Sequence, residues 1–255
     1  MNIWMRLFRF YLKRTLKDYF TIGYSLIFPL VMIGLIGWLR KGSYGQDTSS
    51  FAYYTVALVP FCICFELATA AYLGQEEARK KVAERFLISP ISTRMLLIVK
   101  WSAGVTAMSV CHGFVYLIAK LVLGVSYHGY GVLVFLMSIS FTALIYGIGL
   151  WLGLGMKNFI VLKNLINIPI FLFGVLGGCF YPFGSLNVLI NALIKLSPIT
   201  FINRAAFLAI YDSDAHLLGI MTLLFIILSI GAITMAIHRF KREAFCNGDM
   251  FSYEK

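Results

Sequence analysis

Charge is scarce in this chain. Only 13% of its 255 residues are Asp, Glu, Lys or Arg, while 60% are apolar and the mean hydropathy is +0.84. Soluble domains carry about 25% charged and about 45–50% apolar residues. A water-soluble fold of this size cannot hide so much apolar surface in one core, and a disordered chain is far less hydrophobic. A polytopic membrane protein remains. Cysteine is also sparse: Cys62, Cys64, Cys111, Cys179 and Cys246 form no disulfide framework, and no His/Cys set at zinc-ligand spacing accompanies them. The four histidines, His112, His128, His216 and His238, are scattered, and no HExxH occurs. No paired carboxylates share a span, and no G-x-x-x-x-G-K-S/T phosphate loop is present. The chain is therefore expected to hold no catalytic residue, no metal and no cofactor of its own. Low-complexity segments and internal repeats are missing too. No cleavable signal peptide is expected, because the first apolar run follows a basic stretch and is long enough to stay as an anchor.

What is present is a surplus of positive charge, +11 at pH 7. The basic residues fall between apolar runs, so the surplus points to the flanks of membrane helices and not to nucleic acid. At residues 1–18, Arg6, Arg9, Lys13 and Lys17 share one helical face. Trp4, Leu7, Phe8, Tyr11 and Leu12 lie on the other. That pattern predicts an amphipathic helix in the plane of the membrane surface.

Six spans are expected at 19–39, 51–74, 101–119, 131–156, 159–178 and 216–237, the third framed by Lys100 and Lys120, each near the ~20 residues that cross ~30 Å of hydrocarbon. Pro29 predicts a kink in the first. Of the 22 basic residues, 17 fall on one side of this arrangement. Arg40, Lys41, Lys195 and Arg204 fall on the other, and Lys120 sits at the border. The bias places both termini in the cytoplasm and the chain in a cell membrane, multi-pass, of plasma-membrane type. Segment 179–215 is too apolar for a water-exposed loop, yet Ser197-Pro198, Lys195 and Arg204 interrupt it. One more full span would move the basic tail at 238–255 outside, so two short re-entrant helices in the outer leaflet are expected. Gly149 and Gly153, with Gly147 and Gly155 beside them, let helices approach closely. Core packing explains them better than a dedicated dimer face.

The charged stretch 75–92 reads QEEARKKVAERFLISPIS. Glu76–Lys80 and Glu77–Lys81 are acid-before-base pairs at i,i+4, which support a helix. Ser89-Pro90 ends it, and Ser92 or Thr93 can cap the next one. A short charged helix is expected to project between the second and third spans.

Here the motif VAERFLISPIS resembles the corresponding stretch of ABC type-2 exporter permeases, through Glu84, Arg85, Leu87, Ser89, Pro90 and Ser92. Lys81-Val82 replaces the Gly-Thr common there. A second match lies in Pro169, Gly174, Tyr181-Pro182 and Ser197-Pro198-Ile199-Thr200. The resemblance covers nearly the whole chain. It implies an all-α polytopic membrane protein with six transmembrane helices, an N-terminal amphipathic interfacial helix and outer re-entrant short helices. It also implies a homodimer or heterodimer of permeases in the lipid bilayer, with the substrate route lined mainly by the second and fifth spans. A separate ABC ATPase subunit, in two copies carrying ATP and Mg, would grip the coupling segment at Glu77, Lys81, Glu84, Arg85, Phe86 and Leu87. A drug, an antimicrobial peptide or another amphipathic compound is the expected cargo.

Two ionisable residues lie deep in spans. Glu66 and His112 fall within roughly 5 Å of the midplane at ~1.5 Å per residue, where a charge is costly and usually paired or functional. The readings are a Glu66–His112 pair, a recognition site for a cationic substrate, or a buried hydrogen bond that fixes packing. The last is favoured, because one carboxylate is a thin basis for recognition. Asn164 and Asn167 share a face of the fifth span, where interhelical hydrogen bonding and transport explain them equally well. An ion-coupled carrier would show several intramembrane acids and inverted repeats. A membrane-embedded enzyme would need a nucleophile with its base or clustered metal ligands. Both are alternatives to the permease reading.

Overall fold

The computed structural model describes residues 3–42, 49–79, 91–155, 159–180, 194–195 and 197–240. These residues are helical, with no strand among them. In chain order the helices are α1 (Ile3–Lys17), α2 (Tyr19–Leu39), α3 (Ser50–Arg79), α4 (Thr93–Val122), α5 (Gly131–Gly155), α6 (Phe159–Leu176), α7 (Pro198–Tyr211) and α8 (His216–Arg239).

Five of these, α2, α3, α4, α5 and α8, are long and apolar enough to cross a membrane. Helix α6 has 18 residues, within which Asn164–Leu176 is a shorter apolar stretch.

Helix α1 presents Arg6, Arg9, Lys13 and Lys17 to the exterior and buries Tyr11 and Thr15 one turn apart. Trp4 and Phe8, four residues apart, stack at 5.2 Å. The break before α2 has a local cause. Asp18 takes an extended conformation as N-cap, and its Oδ1 accepts from the backbone N–H of Phe20 at 3.2 Å and of Thr21 at 3.5 Å. An N-cap carboxylate satisfies N–H groups that a helix start leaves open. Pro29 has no N–H, and its ring would strike the carbonyl of the preceding turn. The chain widens into a π turn at Gly23–Ile27 just before it, a usual way to accommodate such a defect.

Helix α5 is the hub, packed most extensively on α8 and α3. Its glycines make this possible. A Cβ on Gly149 would lie 2.5 Å from Ala70 Cβ and 2.7 Å from the Leu67 carbonyl oxygen. One on Gly153 would overlap the carbonyl oxygen of Ala71. One on Gly147 would lie 2.9 Å from Ala232 Cβ of α8. The glycine stripe therefore serves packing within the chain. Tyr146, fully buried, extends across to Gly104 of α4.

Polar contacts identify two ends of the bundle. At one end Ser50 Oγ donates to Gly37 O at 2.7 Å, joining α3 to α2. Tyr53 and Tyr54 donate to Gly178 O and Phe180 O at 2.9 and 3.2 Å, and Tyr130 donates to Ser213 O at 3.1 Å. At the other, basic end lie α1, the last turns of α3 and α5, and Arg239, whose guanidinium sits 4.8 Å over the Trp151 ring. Helix α6 closes against the Tyr53–Tyr54 end with a C-terminal turn. Gly178 has φ of 72°, its N–H bonds Val175 O, and the N–H of Cys179 bonds Gly174 O, both at 3.1 Å. Glycine adopts that left-handed conformation without a Cβ clash.

Two expectations shift. Helix α4 begins at Thr93, with Ser92 Oγ accepting the N–H of Met95 at 3.3 Å, so it starts well before residue 101. Lys100 does not frame the helix from outside: it is inside it and only 1% exposed. Residues Gln75–Arg79 continue α3 without a break. Lys80–Pro90, and with them most of the expected coupling helix, lie outside the described residues.

Candidate functional site

The spacing of α3, α4 and α5 brings three polar side chains together in the apolar interior. Glu66 and His112 are 2% and 1% exposed, and His112 Nε2 lies 2.9 Å from Glu66 Oε1. Thr142 of α5 completes the set, its Oγ1 3.4 Å from His112 Nδ1. The protons can be followed around this chain. The Thr142 hydroxyl donates to Ser138 O at 2.8 Å, as threonine commonly does one helical turn back. Its oxygen is left to accept from His112 Nδ1 when that nitrogen is the protonated one. Nε2 and Oε1 then share one proton: imidazolium with carboxylate, or imidazole with carboxylic acid. Either state has zero net charge, the condition under which such groups are tolerated in a low-dielectric interior. Glu66 Oε2 has no hydrogen-bond partner among the described residues.

A second set ties the basic end together. The Lys100 ammonium donates to Leu73 O at 3.0 Å and lies 5.6 Å from the centre of the Tyr11 ring. One side chain thus joins α1, α3 and α4. Gln75 Nε2 donates to Gly153 O at 2.6 Å, fixing α3 to α5. Trp101 Nε1 donates to Ala143 O at 2.8 Å, fixing α4 to α5.

A third group is aromatic. Phe61 of α3 packs edge-on to Phe65 at 4.9 Å and to Phe180 at 5.2 Å, and Phe65 packs against Tyr24 at 5.8 Å. Phe171 of α6 reaches the same cluster, 5.6 Å from Phe180, and is itself exposed. The contact between α3 and α6 is therefore lined by rings.

Of the residues singled out from the sequence, Glu66 and His112 meet. Asn164 and Asn167 lie on α6, the first exposed and the second half-buried; no contact joins them to Glu66. Glu77 falls in the last helical residues of α3. Lys81, Glu84, Arg85, Phe86 and Leu87 lie outside the described residues. Thr142, Lys100, Gln75 and Asn203 were not singled out. A lysine between apolar runs reads as a flank, and threonine, glutamine and asparagine give no periodic signal. Asn203 of α7 donates to Gly177 O at 2.9 Å and contacts Cys179 Sγ at 3.8 Å. Ser197 Oγ donates to Phe173 O at 2.9 Å. These bonds hold α7 against the end of α6. Among the described residues, no group of three or more His, Cys, Asp or Glu side chains could hold a metal.

Among the described residues, an all-helical bundle with five membrane-length helices is the construction of a membrane domain. The profile of the ABC-2 type transporter family matches residues 4–211, and the chain belongs to that family. That family is the membrane domain of transporters and not a catalytic one. A search of curated proteins finds no match.

Proposed function

We propose that the chain is the permease subunit of an ATP-driven exporter. Its membership of the ABC-2 type transporter family carries this reading. Two permeases, identical or homologous, enclose the route, and a separate ATPase subunit in two copies supplies ATP and Mg. The coupling contact falls on 75–92, with Glu77, Lys81, Glu84, Arg85, Phe86 and Leu87 at the docking surface. The unbroken extension of α3 through Arg79 supports it: a rigid continuation of a buried span can transmit a push, whereas a flexible loop cannot.

Six crossings are proposed, with α6 as the fifth. Eighteen residues at ~1.5 Å each give ~27 Å, close to the ~30 Å of hydrocarbon. The contacts of Gly178 and Phe180 with Tyr53 and Tyr54 support this, since α6 starts soon after α5 ends at the basic end. Helix α7 is too short to cross and returns along α6 and α8, in keeping with a re-entrant segment. An even number of crossings leaves both termini at the basic, cytoplasmic end.

The cargo is proposed to be an amphipathic compound, a drug or an antimicrobial peptide. The aromatic contact between α3 and α6 supports this, as rings give apolar contact without demanding one shape. The Glu66–His112–Thr142 set has zero net charge and acts in helix packing, not in cation recognition.

The test is reconstitution with the ATPase encoded beside it. Purified chain alone hydrolyses no ATP. Glu84→Lys with Phe86→Ala abolishes ATPase co-purification and export. Intact co-purification in that variant sinks the docking assignment. Unchanged sensitivity of a deletion strain to a panel of amphipathic toxins sinks the cargo class.

A further inference from the structure

Lys100 of α4 stands at the basic end with its side chain turned inward, 1% exposed. Taking an ammonium out of water is costly, and apolar side chains of similar volume at buried ionic sites are often neutral or stabilising. Packing alone therefore does not account for a lysine here. Its contacts point to position instead. The ammonium donates to Leu73 O of α3 at 3.0 Å and lies 5.6 Å from the centre of the Tyr11 ring of α1, which is itself fully buried. Helix α1 packs chiefly on α4. In that contact Leu7, Phe8 and Tyr11 share an apolar cluster with Leu96 and Val99. Apolar contact is non-directional: it holds two helices together without fixing how far one slides along the other. A hydrogen bond from a charged donor has a preferred length and angle. Lys100 thus ties α1 to α3 in one register. Both Lys100 and Tyr11 have further interactions, and the tie does not depend on an unpaired charge. Leu73 lies about 9 Å before Arg79 at ~1.5 Å per residue, and α3 runs between them without a break.

We propose that Lys100 is a positioning residue for docking of the ATPase subunit. It holds α1 and the end of α3 at one fixed spacing, so that the basic end presents both to the partner as a single preformed surface. The inference rests on the permease reading: a coupling segment that continues α3 meets its partner at a place set by where α3 stands relative to its neighbours. Preorganisation of that kind raises affinity, because the surface is ordered before the partner arrives. With the tie removed, α1 stays on α4 by its apolar face but slides along it. The ATPase then finds the docking-competent register only part of the time, and its apparent affinity falls by that fraction.

The experiment uses the full chain in lipid nanodiscs and the ATPase subunit encoded beside it. One readout is the affinity of the ATPase for the chain. The other is the distance between spin labels at Lys13→Cys of α1 and Lys120→Cys of α4, measured by double electron–electron resonance in a Cys246→Ser background. Both positions are exposed, and Cys62, Cys64, Cys111 and Cys179 are buried. Lys120 lies about 30 Å from Lys100 along α4, at ~1.5 Å per residue. Wild type gives one distance. Methionine at a buried lysine site is tolerated, so Lys100→Met folds. It spreads the distance over two or more populations and weakens ATPase binding about 10- to 100-fold. Tyr11→Leu breaks the same tie from the other side and weakens binding about 2- to 30-fold. The double variant binds within about threefold of the weaker single, because a tie already broken adds no second loss. Trp101→Phe removes the 2.8 Å bond that the next residue of α4 makes to α5, and it keeps one distance and wild-type affinity. Wild-type affinity or a single distance in Lys100→Met, additive losses in the double variant, or equal losses in Trp101→Phe each overturn the proposal. A wild-type chain that binds no ATPase sinks the permease reading, and the docking role with it, while the spin-label distances still show whether Lys100 holds α1.

Discussion

Replacing Gly149 by alanine tests whether α3 and α5 touch backbone to backbone. The new methyl would lie 2.5 Å from Ala70 Cβ and 2.7 Å from Leu67 O. Carbon atoms in contact sit about 3.5–4.0 Å apart, so the helices must part by about 1 Å. Ala70 Cβ and the Leu67 carbonyl are fixed to the α3 backbone and cannot rotate away, as a long side chain would. A gap of that size forfeits about a quarter to a half of each dispersion contact along the seam, and overpacking of this kind costs about 1–3 kcal/mol. Gly153→Ala meets Ala71 O on the same face and carries a similar cost. Once one methyl has separated the helices, the second costs less, so the double variant is destabilised by less than the sum. Gly231→Ala on α8 is the control, because nothing lies within 4 Å of its added methyl. The assay is denaturation of purified protein in mixed micelles, followed by far-UV circular dichroism. Wild-type stability in both Gly149→Ala and Gly153→Ala, or a larger loss in the control, refutes the close approach.

Three further outcomes are expected. In the same denaturation assay Glu66→Ala costs about 3–5 kcal/mol, because it strands His112 in the interior. Glu66→Gln keeps a hydrogen-bonding partner for Nε2 and costs nearer 1 kcal/mol; equal losses in the two count against the shared proton. Asn203→Leu leaves Gly177 O without its 2.9 Å donor and costs about 1–3 kcal/mol, with faster proteolysis between α6 and α7 as a second readout. Cys62, Cys64, Cys111 and Cys179 are all buried free thiols. In a Cys246→Ser background, maleimide labels them only after denaturation, and rapid labelling of the folded protein contradicts the packing.

Much of the architecture was legible before any coordinates. Five of the six expected spans appear as helices long and apolar enough to cross a membrane, because the bilayer admits few alternatives for a backbone whose polar groups must be satisfied internally. The junction at Asp18 was legible too, since capping depends on local side chain and backbone alone. Lys100 was misplaced for an instructive reason. From sequence it is a charge at the edge of an apolar run. In the fold it is an interior donor, because the α3 carbonyl that receives it lies 27 positions earlier in the chain. The helix start at Thr93 was legible, because Ser92 was read as a cap and its Oγ accepts the N–H of Met95.

Composition alone determined that the chain belongs in a membrane, and the one-sided distribution of its cations governs how it is expected to sit there. Both are one-dimensional properties: a transfer free energy summed along a run, and a charge count per segment. Which residues meet was decided only in three dimensions. The similar depths of Glu66 and His112 allowed a pair, but that they meet, and that Thr142 joins them, depended on the rotations of three helices. Those rotations are dictated by where glycine allows two backbones to come close, and that depends on which helix stands opposite.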